Sequence, residues 1–221
     1  MEKRGICILR VTGSKDAALG IGAMIVFIAM VLVASLAAYV LLSTSSQLQM
    51  KSSTTGGEAI KEAATGLKIN SIEGHNTSGL IDKVIIDISP RPGSQDIDLS
   101  TTHIELSNGS AKCVFKYSES HWVNRKSGSM NVFAEHAFSS VASEYGLIVM
   151  ADADDSCGAT TPVINDGDSV YLAINTTACF HGIAHNTNVE GNVIPESGAW
   201  GIIQFRTPSS FTTPIIILQE D

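Results

Sequence analysis

Charge is what this chain has least of. Asp, Glu, Lys and Arg together make up 16% of its 221 residues, and residues 17–50 carry none of them. Basic residues are the scarcer sign, with 14 Lys and Arg against 22 Asp and Glu, for a formal net charge of −8. An acidic chain of this kind argues against nucleic acid as a partner and fits a solvated exterior face. Proline is missing before Pro90, so nothing of that kind breaks a helix in the first third of the chain. Catalytic signatures are missing too: there is no Gly-x-Ser-x-Gly elbow, phosphate-binding loop, dinucleotide fingerprint or His-Glu-x-x-His pair. The sequence therefore reads as a non-enzyme, long enough for one sizeable domain beside a helix.

What is present is a long apolar run. Residues 17–42, AALGIGAMIVFIAMVLVASLAAYVLL, are apolar or glycine except Ser35. About 20 such residues cross a bilayer core, so the run reads first as a membrane span. It follows a short basic leader, MEKRGICILRVTGSKD, and a secretory signal would place small residues at a cut site beyond the apolar core. Here Ser43, Thr44, Ser45 and Ser46 follow without such a site, and the small pair Ala17 and Ala18 lies in front. A cut between Ala17 and Ala18 leaves the hydrophobic segment as the new N-terminus. It also removes Lys3, Arg4, Arg10 and Lys15 against Glu2 and Asp16, a net +2, and takes the formal charge from −8 to −10.

Residues 18–67 are rich in good helix formers. A helix of about 50 residues is roughly 75 Å long. Its first half is apolar on every side and must be covered all round, by lipid or by other helices. Gly20, Gly22, Ala23, Ala29, Ala34, Ala37 and Ala38, with Ser35, permit close approach between helix backbones. Gly56 and Gly57 predict a bend or an end.

Beyond residue 68 the pattern changes to short β-branched runs at 84–88, 103–106, 112–117, 145–150, 169–174, 201–205 and 214–218. Turn chemistry separates them, as in Asn108-Gly109 and Asn165-Asp166-Gly167. The expectation is an α+β chain: a leader at 1–17, a hydrophobic helix at 18–67, and an antiparallel β-sandwich at 68–221.

Candidate sites are few. Three Asn-x-Ser/Thr sequons, at Asn76, Asn108 and Asn175, are N-glycan acceptors if the domain is exported. Asp152, Asp154 and Asp155 cluster, with Asp166 and Asp168 following. They suit either a Ca²⁺ site or acidic turns that cap strand ends, and they do not form an EF-hand. Otherwise no cofactor is expected. Of the four cysteines, Cys7 lies in the leader; Cys157–Cys179 closes the shortest loop among Cys113, Cys157 and Cys179, and three buried thiols are the alternative. Cys179, His181 and His185 have zinc-like spacing but lie in a β-rich region. Trp122 and Trp200 read as packing aromatics.

The stretch GIGAMIVFIAMVLVASLAAYVLL at 20–42 resembles the N-terminus of archaeal flagellins (archaellins) of the type IV pilin-like superfamily. Residues 47–69, 152–174 and 191–211 are similar to the same family's later segments. Bacterial type IV pilins carry Glu at the fifth mature position, where this chain has Gly22. The family usually has Gly before the leader cut, where this chain has Ala17. The resemblance implies an immunoglobulin-like sandwich and a leader removed between Ala17 and Ala18 by a membrane peptidase. It further implies glycosylation, transient residence of the precursor in the membrane, and assembly-machinery partners. The end state it implies is polymerisation with identical subunits into the extracellular archaeal flagellum that serves swimming. An adhesion pilin and a membrane-anchored ectodomain are the alternatives.

Overall fold

The computed structural model describes residues 13–125 and 131–220, with side chains from Leu19 onward. The chain divides into two compact units, Met1–Gly57 and Glu58–Asp221. The first consists, among the described residues, of most of one helix, α1 (Gly13–Ala64). Contrary to the expected bend, α1 runs unbroken through Gly56 and Gly57. A helix-interior glycine costs only about 1 kcal/mol relative to alanine. Serine and threonine hydroxyls in α1 turn back on the helix: Ser35 donates to Leu32 O at 2.8 Å and Thr44 to Val40 O at 2.9 Å. These bonds satisfy them without water.

α1 ends at Ala64, three residues short of the expected 67, because the chain is captured there by the β domain. Thr65 accepts from Ala199 N at 2.9 Å, and Leu67 N donates back to Ala199 O at 3.1 Å. Gly66 lies so close to Ala199 that a Cβ built on it would stand 2.9 Å from the alanine methyl. The helix therefore hands over directly to a strand.

The second unit is built on β1 (Leu67–Thr77), β2 (Leu80–Pro90), β3 (Ile97–Asp98), β4 (His103–Ser107), β5 (Lys112–Asn124) and β6 (Glu144–Ala151). After these come β7 (Val163–Ile164), β8 (Ser169–Asn175), the short helix α2 (Thr176–Phe180), β9 (Asn188–Ile194), β10 (Gly201–Arg206) and β11 (Ile215–Glu220). Nine strands form one sheet in the order β10-β9-β4-β5-β6-β8-β2-β1-β11, and β3 pairs with β7. Every pairing is antiparallel except β5 with β6. At the sheet centre Ile86 of β2 faces Leu172 of β8, which faces Leu147 of β6.

Period-two alternation sends one residue set from nearly every strand into a single core. It includes Ile72, Ile88, Ile104, Phe115, Val149, Ile174, Val193 and Phe205. For both ends of the ladder to share that core, the sheet must fold back on itself, so its inner faces oppose one another like the layers of a sandwich. Its two edges meet through one side chain: Gln219 of β11 accepts from Gln204 N at 2.9 Å and donates to Ile202 O at 3.3 Å, both on β10. The mostly antiparallel β domain behind a long helix is as expected. The hydrogen-bonded ladder, however, is continuous where a sandwich has two separate sheets.

On the opposite face of β6 and β8, Val123, Ala137, Ile148 and Ala173 make a second small core. The segment around the 3-10 turn Val132–Ala134 covers it, held by Lys83 Nζ donating to Phe133 O at 2.6 Å.

The expected Cys157–Cys179 bridge is corrected. Cys179, on α2, bonds to Cys113 on β5 across a sequence separation of 66, with Cα atoms 6.5 Å apart. Cys157 is a buried thiol in a short bridge to Pro162, and its carbonyl receives the Trp122 Nε1–H at 3.2 Å. The topology that sets α2 beside β5 decides the pairing, and loop length does not.

Candidate assembly interface

Residues 19–42 of α1 contain sixteen large apolar side chains, from Leu19 to Leu42, and each is 50–73% exposed. They point in all directions, so no face of this helix is suited to water. Burying such a side chain is worth about 2 kcal/mol, or roughly 30 kcal/mol over sixteen, before any cost of association. The helix is long and apolar enough to cross a membrane, and none of its most apolar window is buried within the chain. Gly20 and Gly22 have no atom within 4 Å of where a Cβ would stand. The remaining small positions, Ala23, Ala29, Ala34, Ala37 and Ala38, are likewise exposed. Ala17 and Ala18 lie on the backbone of α1, but their side chains fall outside those described. What the arrangement can do chemically is dock: it offers smooth, apolar, close-approach surface and no reactive group.

The other predicted residues are placed as follows. Asn175 is the N-cap of α2, its carbonyl accepting from Thr177 N at 3.1 Å and Ala178 N at 3.3 Å. Asn76 accepts from Gly79 N at 3.1 Å and donates to Thr213 O at 3.5 Å. Asn108 shapes the β4–β5 hairpin by accepting from Ser110 N at 3.0 Å and Ala111 N at 2.8 Å, next to Gly109 at φ +83°. Such a positive φ favours glycine.

The acidic cluster gathers Asp152, Asp154 and Asp168, whose carboxylate oxygens lie within 4.8 Å of one another. Asp155 stands outside this set, in a left-handed turn at φ 60°. Asp168 joins because it directly precedes β8, which pairs with β6, the strand that leads into Asp152. The sequence pointed to Asp168 only as an acidic residue farther along. Asn165 Nδ2 donates to Asp154 at 2.7 Å, and this bond, followed by those from Ser156, holds the Asp154 carboxyl below its ordinary pKa. Asp168 accepts from Asn165 N at 2.9 Å and Ala153 N at 3.3 Å. Three clustered carboxylates are a hard-cation donor set, and the same bonds also hold the loop as a turn.

Cys179 is committed to its disulfide and His181 caps α2 in the left-handed region at φ 60°, so no zinc thiolate forms there. Trp122 packs against the core as expected, whereas Trp200 is 55% exposed. Sequence reasoning missed that second exposed apolar position.

Known proteins match over both units. The archaeal-type flagellin family matches residues 17–205. Flagellin B2 of Methanocaldococcus jannaschii is 40% identical over 206 residues, covering 93% of this chain and 95% of the relative. Flagellin B1 of Methanococcus voltae is 41% identical over 212 residues, covering 93% and 96%. The crystal structure of flagellin FlaB1 from M. jannaschii superposes with a TM-score of 0.63 at 33% identity, over 71% of this chain and 98% of that one. The archaeal flagellum subunit of Methanospirillum hungatei shares the fold at 18% identity, with a TM-score of 0.59 over 90% and 99%. With the long helix, the mostly antiparallel β domain and the matched span all in agreement, the chain belongs to the archaeal-type flagellin family, structural subunits of the archaeal flagellum filament.

Proposed function

We propose that this chain is inserted in the membrane as a precursor, loses its leader between Ala17 and Ala18 to a membrane peptidase, and then polymerises through α1. The observation that carries the reading is the all-round exposure of residues 19–42. A helix with no polar face is equally suited to lipid and to a bundle of identical helices, so it can pass from one to the other. Heterologous contacts that do not close produce a filament and not a ring. The β domain forms the outer surface of an extracellular filament that serves swimming, and the sequon on its β4–β5 turn, at Asn108, carries glycan. The family match opens at residue 17, beside the proposed cut. A cation at Asp152, Asp154 and Asp168 would tie the loop after β6 to the start of β8, a stabilising role separate from polymerisation.

The test is mass spectrometry of the N-terminal peptide from filaments sheared off cells that make this chain. A terminus at or beside Ala18 is expected, and one at Met1 overturns the reading. Gly20→Leu with Gly22→Leu gives the second arm. A Cβ added at either position has nothing within 4 Å beyond its own turn of helix, so the variant should accumulate in the membrane yet yield no filaments.

A further inference from the structure

Asn108 is the only asparagine of the chain that is followed by glycine. The β4–β5 turn surrounds that pair with groups that bear on its chemistry. Asn108 Oδ1 accepts from two backbone N–H groups, those of Ser110 at 3.0 Å and Ala111 at 2.8 Å. The ring closed by the Ser110 bond contains the Gly109 nitrogen. That nitrogen's own N–H donates to Ser107 Oγ at 3.2 Å. Nothing lies within 4 Å of where a Gly109 Cβ would stand, and Gly109, Ser110 and Ala111 are all exposed to water.

We propose that Asn108 is a self-modification site, at which the Gly109 nitrogen attacks the side-chain amide and converts it to aspartate and isoaspartate. The Gly109 N–H gives its proton to solvent, drawn outward by Ser107 Oγ, and the nitrogen bonds to Asn108 Cγ. Charge developing on Oδ1 meets the Ser110 and Ala111 N–H donors, which lie at the separation that stabilises an oxyanion. The Cγ–Nδ2 bond then breaks, and ammonia leaves with a proton from water to give a succinimide. One water opens that ring, at Cγ to yield aspartate or at the backbone carbonyl to yield isoaspartate. Nucleophile and carbonyl belong to one small ring, so the attack is unimolecular, and glycine leaves the approach unobstructed. Nδ2 is also the atom that a glycan would occupy, so the two modifications exclude each other. A glycosylated Asn108 would have to expel a sugar amine in place of ammonia, and an aspartate offers no amide to glycosylate. The inference rests on the glycan reading for this protection alone.

Peptide mapping of the full-length, detergent-solubilised chain, made without N-glycosylation, tests this. On incubation, residue 108 should acquire the amide-to-acid mass shift and accept label from an isoaspartyl methyltransferase, faster than any other asparagine and faster at mildly alkaline than at neutral pH. It should also react severalfold faster than in the same chain unfolded by denaturant, because unfolding scatters the Ser110 and Ala111 donors. Ser107→Ala should slow the folded chain and leave the unfolded rate as it was, with a thermal melt showing that the domain still folds. Slower conversion folded than unfolded means that the turn protects the amide, and overturns the inference. A Ser107→Ala rate equal to wild type in the folded chain overturns it as well. Filaments with acid and no glycan at residue 108 would overturn the glycan reading while supporting this one.

Discussion

Glu73 and Asp87 are neighbours on one face of β1 and β2, because Asp87 pairs with Ser71, two residues before Glu73. Burial raises the Glu73 pKa, and the Asp87 charge raises it further. Burial likewise raises Asp87, against hydrogen bonds from Ser169 and Asn70 that act to lower it. A carboxylate whose folded pKa is raised is protonated more readily folded than unfolded. Its stabilising contribution is therefore present at low pH and lost as pH rises through the folded value. Glu73→Gln should accordingly raise the unfolding temperature at pH 7, and the gain should vanish near pH 4, where model carboxylates titrate at about 4. Thermal melts of wild type and variant across that range decide it; a variant that melts lower at pH 7 rules the repulsion out. The three sequons are also distinguished at this scale. The Asn76 Nδ2 donates to Thr213 O, and Asn175 caps α2 beside the fully buried Thr176, whereas Asn108 uses only its carbonyl and stands on a hairpin whose next residues, Gly109 and Ser110, are exposed. Glycopeptide mapping of filaments should find its glycan at Asn108, with Asn108→Gln abolishing the mass shift.

Among the described residues, the one covalent tie is between α2 and β5, and its contribution can be predicted. Closing a loop over a separation of 66 residues restricts the unfolded chain by about 4 kcal/mol. Cys113→Ser with Cys179→Ser should lower the unfolding temperature of the β domain substantially, whereas Cys157→Ser should leave the bridge intact in a non-reduced peptide map. Strongly patterned elements were legible in the sequence. The runs at 84–88, 103–106, 145–150, 169–174 and 201–205 all lie within strands of the structure. β1 and β9 were not, for a physical reason. β1 reads LKINSIEGHNT and β9 reads NVEGNVI, with polar residues and glycine where β-branched ones mark a strand. Gly191 of β9 is there because the Glu105 backbone leaves no room for a side chain. That requirement exists only once the strands are paired. The disulfide pairing and the place of Asp168 in the acidic cluster were illegible for the same reason: both depend on which strands become neighbours. The assembly helix needed no partner to be read, since its apolar character is uniform and local.

At the scale of the whole molecule, the charge and the adhesive surface are segregated. The unit Glu58–Asp221 holds 20 acidic and 9 basic residues, a formal −11, once Glu2, Asp16, the four leader cations and Lys51 are set aside. Residues 17–50 hold none. Polymerisation therefore joins neutral helices while it crowds like-charged outer domains. Apolar burial is little weakened by simple salt, but repulsion between exposed charges is screened over a distance of about 30 Å at 0.01 M and about 10 Å at 0.1 M. Filaments should thus dissociate at a higher temperature in about 0.1 M salt than in about 0.01 M, over the range in which screening shortens most. A melting temperature that falls with salt would instead mean that ion pairs between subunits hold the filament. The choice of salt separates the two remaining contributions. Sodium and choline chlorides should act alike if screening alone is at work. A further rise with millimolar Ca²⁺, lost in Asp154→Asn, would assign that increment to the cluster of Asp152, Asp154 and Asp168, where three carboxylates converge.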